Sequence, residues 1–333
     1  MKYSIVVAVF DRPDELDELL HSLRAQTFTD FEVIVVDDGS TKKADAVCTR
    51  HASALQITYY WKTNSGPGLS RNYGCRRARG DWFIYLDSDC TVPPDYLHHV
   101  DAAVTTQRLD AFGGPDREHG TFTPIQKAIS YSMTSILTTG GIRGSAVRTG
   151  GAFHPRSFNM GMTREVFNAT EGFSSMRFGE DIDLSLRMIA GGFTVGLITD
   201  AWVYHKRRAT WKQFYRQVFN SGLARINLFI RHPRSLKATH FFPAAFTAFL
   251  VIALGMSLVR PDGWYALLPL GMFLGAILLH GTTRYRSLVL GFLCVVASVI
   301  QLTGYGLGFA TGIVTRIMLG RPEQGAFVET FYQ

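Results

Sequence analysis

Three short acidic clusters fall early in this chain: Asp11, Asp37-Asp38 and Asp87-Ser88-Asp89. Each follows an apolar run, at residues 5–9, 31–36 and 82–86. Two carboxylates spaced as Asp-x-Asp at the end of a strand point the same way, because strand side chains alternate with a period of two. Such a pair can hold a divalent cation and leave ligand positions open for phosphate oxygens. The same pattern also serves as a plain turn or cap, so the surrounding elements decide its meaning.

Those elements alternate. The run at 5–9 reads as a strand covered on both faces. Leu16, Leu19, Leu20 and Leu23 then carry the spacing of one helical face. Strands follow at 31–36, 57–61 and 82–86, with a helix at 69–78 between the last two. Strands alternating with helices predict an α/β fold with a doubly wound, mostly parallel sheet. Ligands bind such sheets beyond the carboxyl ends of the strands, which is where the acidic clusters fall. Further on, 158–162, 195–198 and 201–204 read as short strands, a helix opens at Glu180 and runs to about residue 190, and the glycine-rich stretch 138–151 reads as a mobile loop.

The blocks SIVVAVFDRP (4–13), SLRAQTFTDFEVIVVDDGST (22–41), NSGPGLSRNYG (64–74), ARGDWFIYLDSD (78–89, with Pro93-Pro94 after it) and Gly172-Phe173 with GEDIDLSLR (179–187) stand in this order. Together they resemble the family 2 inverting glycosyltransferases of the GT-A fold, over about residues 3–225. The resemblance implies transfer of a sugar from a UDP-, GDP- or dTDP-sugar with Mn²⁺ or Mg²⁺ as cofactor. It also implies donor contacts from Phe10 (stacking on the base), Asp38 (accepting from the base), Arg71, Asn72 and Asp87 (facing the ribose). Asp89 would hold the metal, and His205 stands where relatives often place a metal or phosphate contact. Asp181 matches the catalytic base, with Glu180 beside it as the alternative. The Gln-x-x-Arg-Trp motif of processive synthases is missing: the stretches at Gln213 and Gln217 lack its Trp. Transfer of a single sugar is therefore expected. A nucleotidyltransferase is disfavoured because the stretch 9–13 is not a glycine-rich phosphate loop. An inactive nucleotide-binding scaffold on the same fold is the alternative, against which the acidic positions 38, 87, 89 and 181 speak.

Composition adds a membrane. Of 333 residues, 47% are hydrophobic and only 18% charged, below the usual charged fraction of about 25%. The deficit is local: between residues 241 and 314 only Arg260, Asp262, Arg284 and Arg286 are charged. The net charge of +7 is concentrated just before that region, from Lys206-Arg207-Arg208 to Lys237. That placement suits an anionic membrane surface, and no nucleic-acid signature accompanies it. Trp211, Tyr215, Val218, Gly222 and Ile226 mark one face of a basic helix, expected to lie on the bilayer. Apolar stretches follow at 241–259, 264–279 and 288–314, against the ~20 residues a bilayer core requires. The first two form an expected hairpin that returns Arg284 and Arg286 to the cytoplasmic side. The third is interrupted by Gln301 and four glycines, with Arg316 and Arg321 beyond it, so a span and a re-entrant or interfacial segment both stay open.

The four cysteines are scattered, as reduced thiols would be, and the seven-residue apolar run near Met1 is too short for a signal peptide. The expected organisation is thus a nucleotide-sugar-binding half (1–100), an acceptor-binding half (101–210), an interfacial helix (211–236) and a membrane region (237–333). It belongs on the cytoplasmic face of the inner membrane, facing a lipid-linked acceptor of the cell envelope. Oligomeric state is not legible.

Overall fold

Strand β1 (Tyr3–Val9) is built from a β-branched run with six of its seven residues buried, the signature of a strand covered on both faces. Helix α1 (Pro13–Arg24) begins with a proline that needs no hydrogen-bond partner there. Asp14 and Glu15 favour the positive end of its dipole, and it buries Leu16, Leu19, Leu20 and Leu23. The pattern repeats through β2 (Phe31–Asp37), α2 (Asp45–His51), β3 (Ile57–Trp61), α3 (Pro67–Cys75) and β4 (Trp82–Leu86). Then come β5 (Cys90–Thr91), α4 (Tyr96–Thr106), β6 (Ala111–Gly113), β7 (Asp116–Arg117), α5 (Pro124–Thr134) and α6 (Ile136–Thr139). The remainder is β8 (Asn159–Thr163), α7 (Arg164–Thr170), α8 (Glu180–Ala190), β9 (Val195–Leu197), β10 (Val203–His205), α9 (Trp211–Arg231), α10 (Phe242–Val259), α11 (Leu268–Tyr285) and α12 (Leu288–Gly312).

The computed structural model describes residues 1–117, 122–139, 153–206 and 209–323. The glycine-rich stretch from residue 140 to 151, and Arg207-Arg208, lie outside these. The chain divides into two compact units, one from residues 1–119 and 150–206, the other from 120–149 and 207–323.

The first unit holds a seven-stranded sheet in the order β3-β2-β1-β4-β8-β6-β9 and a small sheet β5-β10-β7. In the large sheet only β8 runs against its neighbours, β4 and β6. The chain winds outward from β1 to β3 and then crosses to the other flank of β1 with β4. A crevice must open at that switch, between the carboxyl ends of β1 and β4. Helix α3 seats closely on the sheet because residue 74 is glycine: a Cβ there would lie 2.6 Å from Val6 Cγ1.

The second unit is helical. Among its elements α10, α11 and α12 fall in segments long and apolar enough to cross a membrane, Ala238–Val259, Gly263–Tyr285 and Leu288–Met318. An Arg260–Asp262 ion pair sits in the α10–α11 turn, and Trp264 stacks on Tyr265 just beyond it, both rings exposed. Such aromatics suit a membrane–water boundary.

Helix α9 corrects an expectation. The stripe assigned to a bilayer surface packs on α12 instead, with Val218, Gly222 and Ile226 buried. The glycines that seemed to interrupt the third apolar stretch are what allow this. A Cβ at Gly308 would lie 2.0 Å from Phe219 O, and one at Gly222 would lie 2.2 Å from Tyr305 O. Small residues let helix backbones approach where larger ones would clash, so α12 continues unbroken through its glycines.

Candidate functional site

The carboxyl ends of β1, β2 and β4 carry the acidic clusters, as the alternating pattern requires. Past β1 the backbone turns sharply at Asp11, whose φ is +50°. Asp11 donates its N–H to Ser40 Oγ (2.8 Å) and accepts from Lys42 N (2.8 Å), tying this turn to the one after β2. Phe10, half-buried, stands between the end of β1 and Asp11. Asp37 shapes the second turn, accepting from Ser40 N at 2.8 Å, Ala44 N at 3.2 Å and Tyr59 OH at 2.8 Å.

Two of the expected donor-binding residues also brace the turns around them. Asp38 is fully buried, and its carboxylate accepts from Lys62 Nζ (2.5 Å), Ser65 N (2.9 Å), Ser70 Oγ (2.7 Å) and Gly66 N (2.8 Å). These donors reach both oxygens, so Asp38 fastens the 62–66 segment and the start of α3, while Oδ2, which takes only the Gly66 N–H, keeps capacity to accept a further bond. Asn72, also buried, donates to Phe173 O at 2.7 Å and accepts from Phe173 N at 2.9 Å. It locks the Gly172-Phe173 turn to α3. Gly172 must be glycine, because its φ is +72° and a Cβ would lie 2.3 Å from Asn72 Oδ1.

Two charged groups then converge from different elements. Arg71 on α3 is buried, donates to Asp87 Oδ1 at 2.6 Å, reaches Glu180 at 3.8 Å and lies over the Phe173 ring. Burial works against its charge, but Asp87 and Glu180 outweigh that and hold its pKa above the ordinary value. Glu180 opens α8, and burial with the neighbouring Asp181 charge pushes its pKa up to about 7, against the pull of Arg71. Asp181 pairs with Arg156 at 3.3 Å and accepts from Ile182 N at 2.8 Å.

The second convergence is Asp89 with His205. Antiparallel pairing of β10 with β5 sets His205 opposite Cys90, bringing His205 Nε2 to 3.3 Å from Asp89 Oδ1. The ligand atoms of Asp89, Cys90 and His205 lie within 4.8 Å of one another. The carboxylate oxygen suits Mn²⁺ or Mg²⁺ with sites left for phosphate, and the imidazole nitrogen is a donor that Mn²⁺ accepts more readily than the harder Mg²⁺. The Cys90 thiol suits it poorly, since burial and the Asp89 and Asp87 charges raise its pKa well above the ordinary value. Arg12 donates to Asp89 Oδ2 at 3.0 Å, and Phe158 stacks on the His205 ring at 4.9 Å.

The structure therefore brings together Arg71, Asp87 and Glu180, and separately Asp89 and His205. Arg12, Lys62 and Arg156 were not singled out from sequence. Arg12 sits inside a quoted block and could have been found there; Lys62 and Arg156 stand outside every block and gave no signal.

A doubly wound sheet with paired carboxylates at its switch point defines a nucleotide-binding class of α/β domain. The sequence profile of glycosyl transferase family 2 matches residues 4–170, and the chain belongs to that family. It is 40% identical over 98 residues to an uncharacterized glycosyltransferase of Haemophilus influenzae, covering 29% of this chain and 32% of that protein. It is 33% identical over 114 residues to the poly(ribitol-phosphate) beta-N-acetylglucosaminyltransferase TarS of Staphylococcus aureus, covering 33% of this chain and 20% of that one. These matches span about a third or less of the curated relatives' own length. Among solved structures, the mannosyltransferase PcManGT from Pyrobaculum calidifontis, in complex with GDP-Man and Mn²⁺, superposes with a TM-score of 0.65. That match covers 91% of this chain and 87% of the other at 18% identity, which shows a shared GT-A-like fold.

Proposed function

We propose that the chain moves a single sugar, with inversion and with the aid of a divalent cation, from a nucleoside-diphosphate donor to a membrane-associated acceptor. The observation that carries this is the pairing of Asp89 with His205 at the switch-point edge, beside the Arg71–Asp87–Glu180 network. In this reading Asp89 and His205 hold the cation, which neutralises charge on the leaving diphosphate. Phe10 stacks on the base, Asp87 is steered to the ribose by Arg71, and Asp38 and Asn72 hold the surrounding turns. Asp181, kept beside Arg156, takes the proton of the acceptor hydroxyl. The acceptor oxygen bonds to the anomeric carbon while the bond from that carbon to the phosphate oxygen breaks, releasing the nucleoside diphosphate. Glu180, with its raised pKa, is the alternative base. An acceptor phosphate would already be ionised and need neither.

The three apolar helices support membrane attachment, and the basic residues before them favour the cytoplasmic face of the inner membrane. Attachment confines enzyme and acceptor to one surface, which favours a polyprenyl phosphate, a lipid-linked glycan or a lipid as acceptor. The neighbouring structure with GDP-Man and Mn²⁺ and the relative acting on poly(ribitol-phosphate) support a nucleotide-sugar donor and envelope glycan chemistry. The test is binding and slow hydrolysis of UDP-, GDP- and dTDP-sugars by the detergent-purified chain, with and without Mn²⁺ or Mg²⁺. One donor should be handled only with metal, and Asp89→Ala should abolish it. If no nucleotide sugar binds under any metal condition, the reading is wrong.

A further inference from the structure

We propose that α12, although long and apolar enough to cross a bilayer, lies at the membrane surface as the spine on which α5 and α9 are mounted, so that the chain crosses the membrane only twice. The inference rests on the membrane attachment in the reading above, and not on transferase chemistry.

Helix α9 and the second half of α12 run parallel and in register. A Cβ at Gly304 would meet Val218, one at Gly308 would meet Phe219, and one at Gly312 would meet Ile226. Beyond them Arg316 Nε donates to Asn227 Oδ1 at 2.7 Å, and Arg231 pairs with Glu323 at 2.9 Å. Whatever depth α12 reaches between residues 304 and 316, α9 reaches beside it between 218 and 227. Yet within that stretch α9 carries Asn220, Arg225 and Asn227, with Lys212, Arg216 and Gln217 before it and Arg231 after it, and it is not among the described helices apolar enough to cross. Charged side chains are costly in hydrocarbon. The shared stretch therefore belongs at the water–lipid boundary.

The first half of α12 cannot complete a crossing by itself. It has about 16 residues before the seam with α9, or ~24 Å at 1.5 Å per residue, against the ~30 Å of a bilayer core. That half is also covered by protein: Ala128 and Ile129 of α5 cluster with Cys294 and Ala297, and α5 carries Gln126 and Lys127. Tyr285 OH, just before α12, donates to Lys127 O at 3.1 Å. Of the three apolar segments, the one containing α12 is 33% buried by protein in its most apolar window, against 11% for each of the others.

A surface position lets α5 and α9 keep their polar faces in water while exposed residues such as Leu288, Phe292 and Leu307 dip into lipid. It also removes the conflict with charge placement. With only α10 and α11 crossing, Arg316 and Arg321 stay on the same side as the cations of α9, as the positive-inside rule prefers.

The test adds one cysteine at a time to the full chain, Lys212→Cys, Asp262→Cys and Pro322→Cys, at three exposed positions; the four native cysteines are buried, and the unmodified chain is the labelling blank. A membrane-impermeant maleimide is applied to right-side-out and to inverted vesicles from expressing cells. Cys at 212 and at 322 should label in one vesicle orientation, and Cys at 262 only in the other. If 322 labels together with 262, and opposite to 212, α12 crosses and the inference is overturned. If all three label from one side, the hairpin itself does not span; that result fails the membrane reading as well, and is distinguishable from the previous one. A fourth variant, Gly271→Cys, on a helix face with open space around it, should resist the reagent in both orientations if α11 is in lipid; ready labelling there would also overturn the two-span arrangement.

Discussion

Glycines permit close approach in both units, but the site of the sheet unit and the α9–α12 seam of the helical unit are held by different means. In the sheet unit, buried polar groups at the site meet directional partners: Asp38 with four donors, Asn72 with both backbone polar groups of Phe173, and Arg71 with Asp87 and, at longer range, Glu180. At the α9–α12 seam of the helical unit, close approach is made by missing side chains, at Gly222, Gly304, Gly308 and Gly312. Directional bonds fix where a functional group points, which a reaction centre requires. Shape fit between helices fixes only that two backbones touch, which suffices for an anchor. Conservative changes to the groups that do the chemistry in the first unit should therefore alter turnover, and changes at the α9–α12 seam of the second should alter stability and leave the chemistry of the folded fraction intact.

The largest departure is expected at Asp181. Asp181→Asn keeps the shape and removes the base, so turnover with a hydroxyl acceptor should fall by about 10²-fold or more, with donor binding retained. Single-turnover kinetics and donor titration check this. Unchanged turnover would point to Glu180 as the base or to a phosphate acceptor.

Next comes Gly308→Val in the other unit. The added carbons meet the backbone of α9, with the first only 2.0 Å from Phe219 O, and overpacking of this kind costs about 1–3 kcal/mol. Thermal unfolding in detergent should show the loss, while metal-dependent donor binding per folded molecule stays the same. If binding changes instead, the division of labour fails.

A smaller effect separates the site from the seam by pH. Glu180 has its pKa raised from 4.5 to about 7, so between those values the folded chain holds more protons than the unfolded one. That contribution is fully present below about pH 4.5 and is lost as pH rises through about 7. Glu180→Gln removes the loss. Its melting midpoint should exceed that of the unmodified chain at pH 8 and converge with it near pH 4.5. The smallest effect is Gly271→Ala on α11, where nothing lies within 4 Å of the added carbon. It should be stabilising by about 0.5–1 kcal/mol, opposite in sign to Gly308→Val and measurable in the same melting experiment.

What was legible in the amino-acid order follows the same division. Strand and helix periods, Pro13 opening a helix and the acidic ends of 31–36 and 82–86 are local properties. The expected α/β alternation therefore matches the observed elements within a few residues. The length and apolarity of the three C-terminal stretches are local too. The direction of the α9 stripe was not legible, because an apolar face has the same spacing whether lipid or another helix covers it. Nor could the spacing show that Gly304 to Gly312 form a seam and not a set of interruptions, since that depends on which backbone lies opposite.

In the site, motif position brought forward Asp38, Asn72, Asp87, Asp89, Glu180 and Asp181 as functional carboxylates and amides. It could not say which of them have their polar atoms already partnered. That Asp38 and Asn72 brace turns, that Arg12 lies on Asp89 and Arg156 on Asp181, and that β10 brings His205 to Asp89 all depend on partners distant in sequence. Side-chain chemistry and local period were written in the order of residues. Which polar group meets which, and which face is covered, was decided only when strands and helices far apart in the chain came within a hydrogen bond or a van der Waals contact of one another.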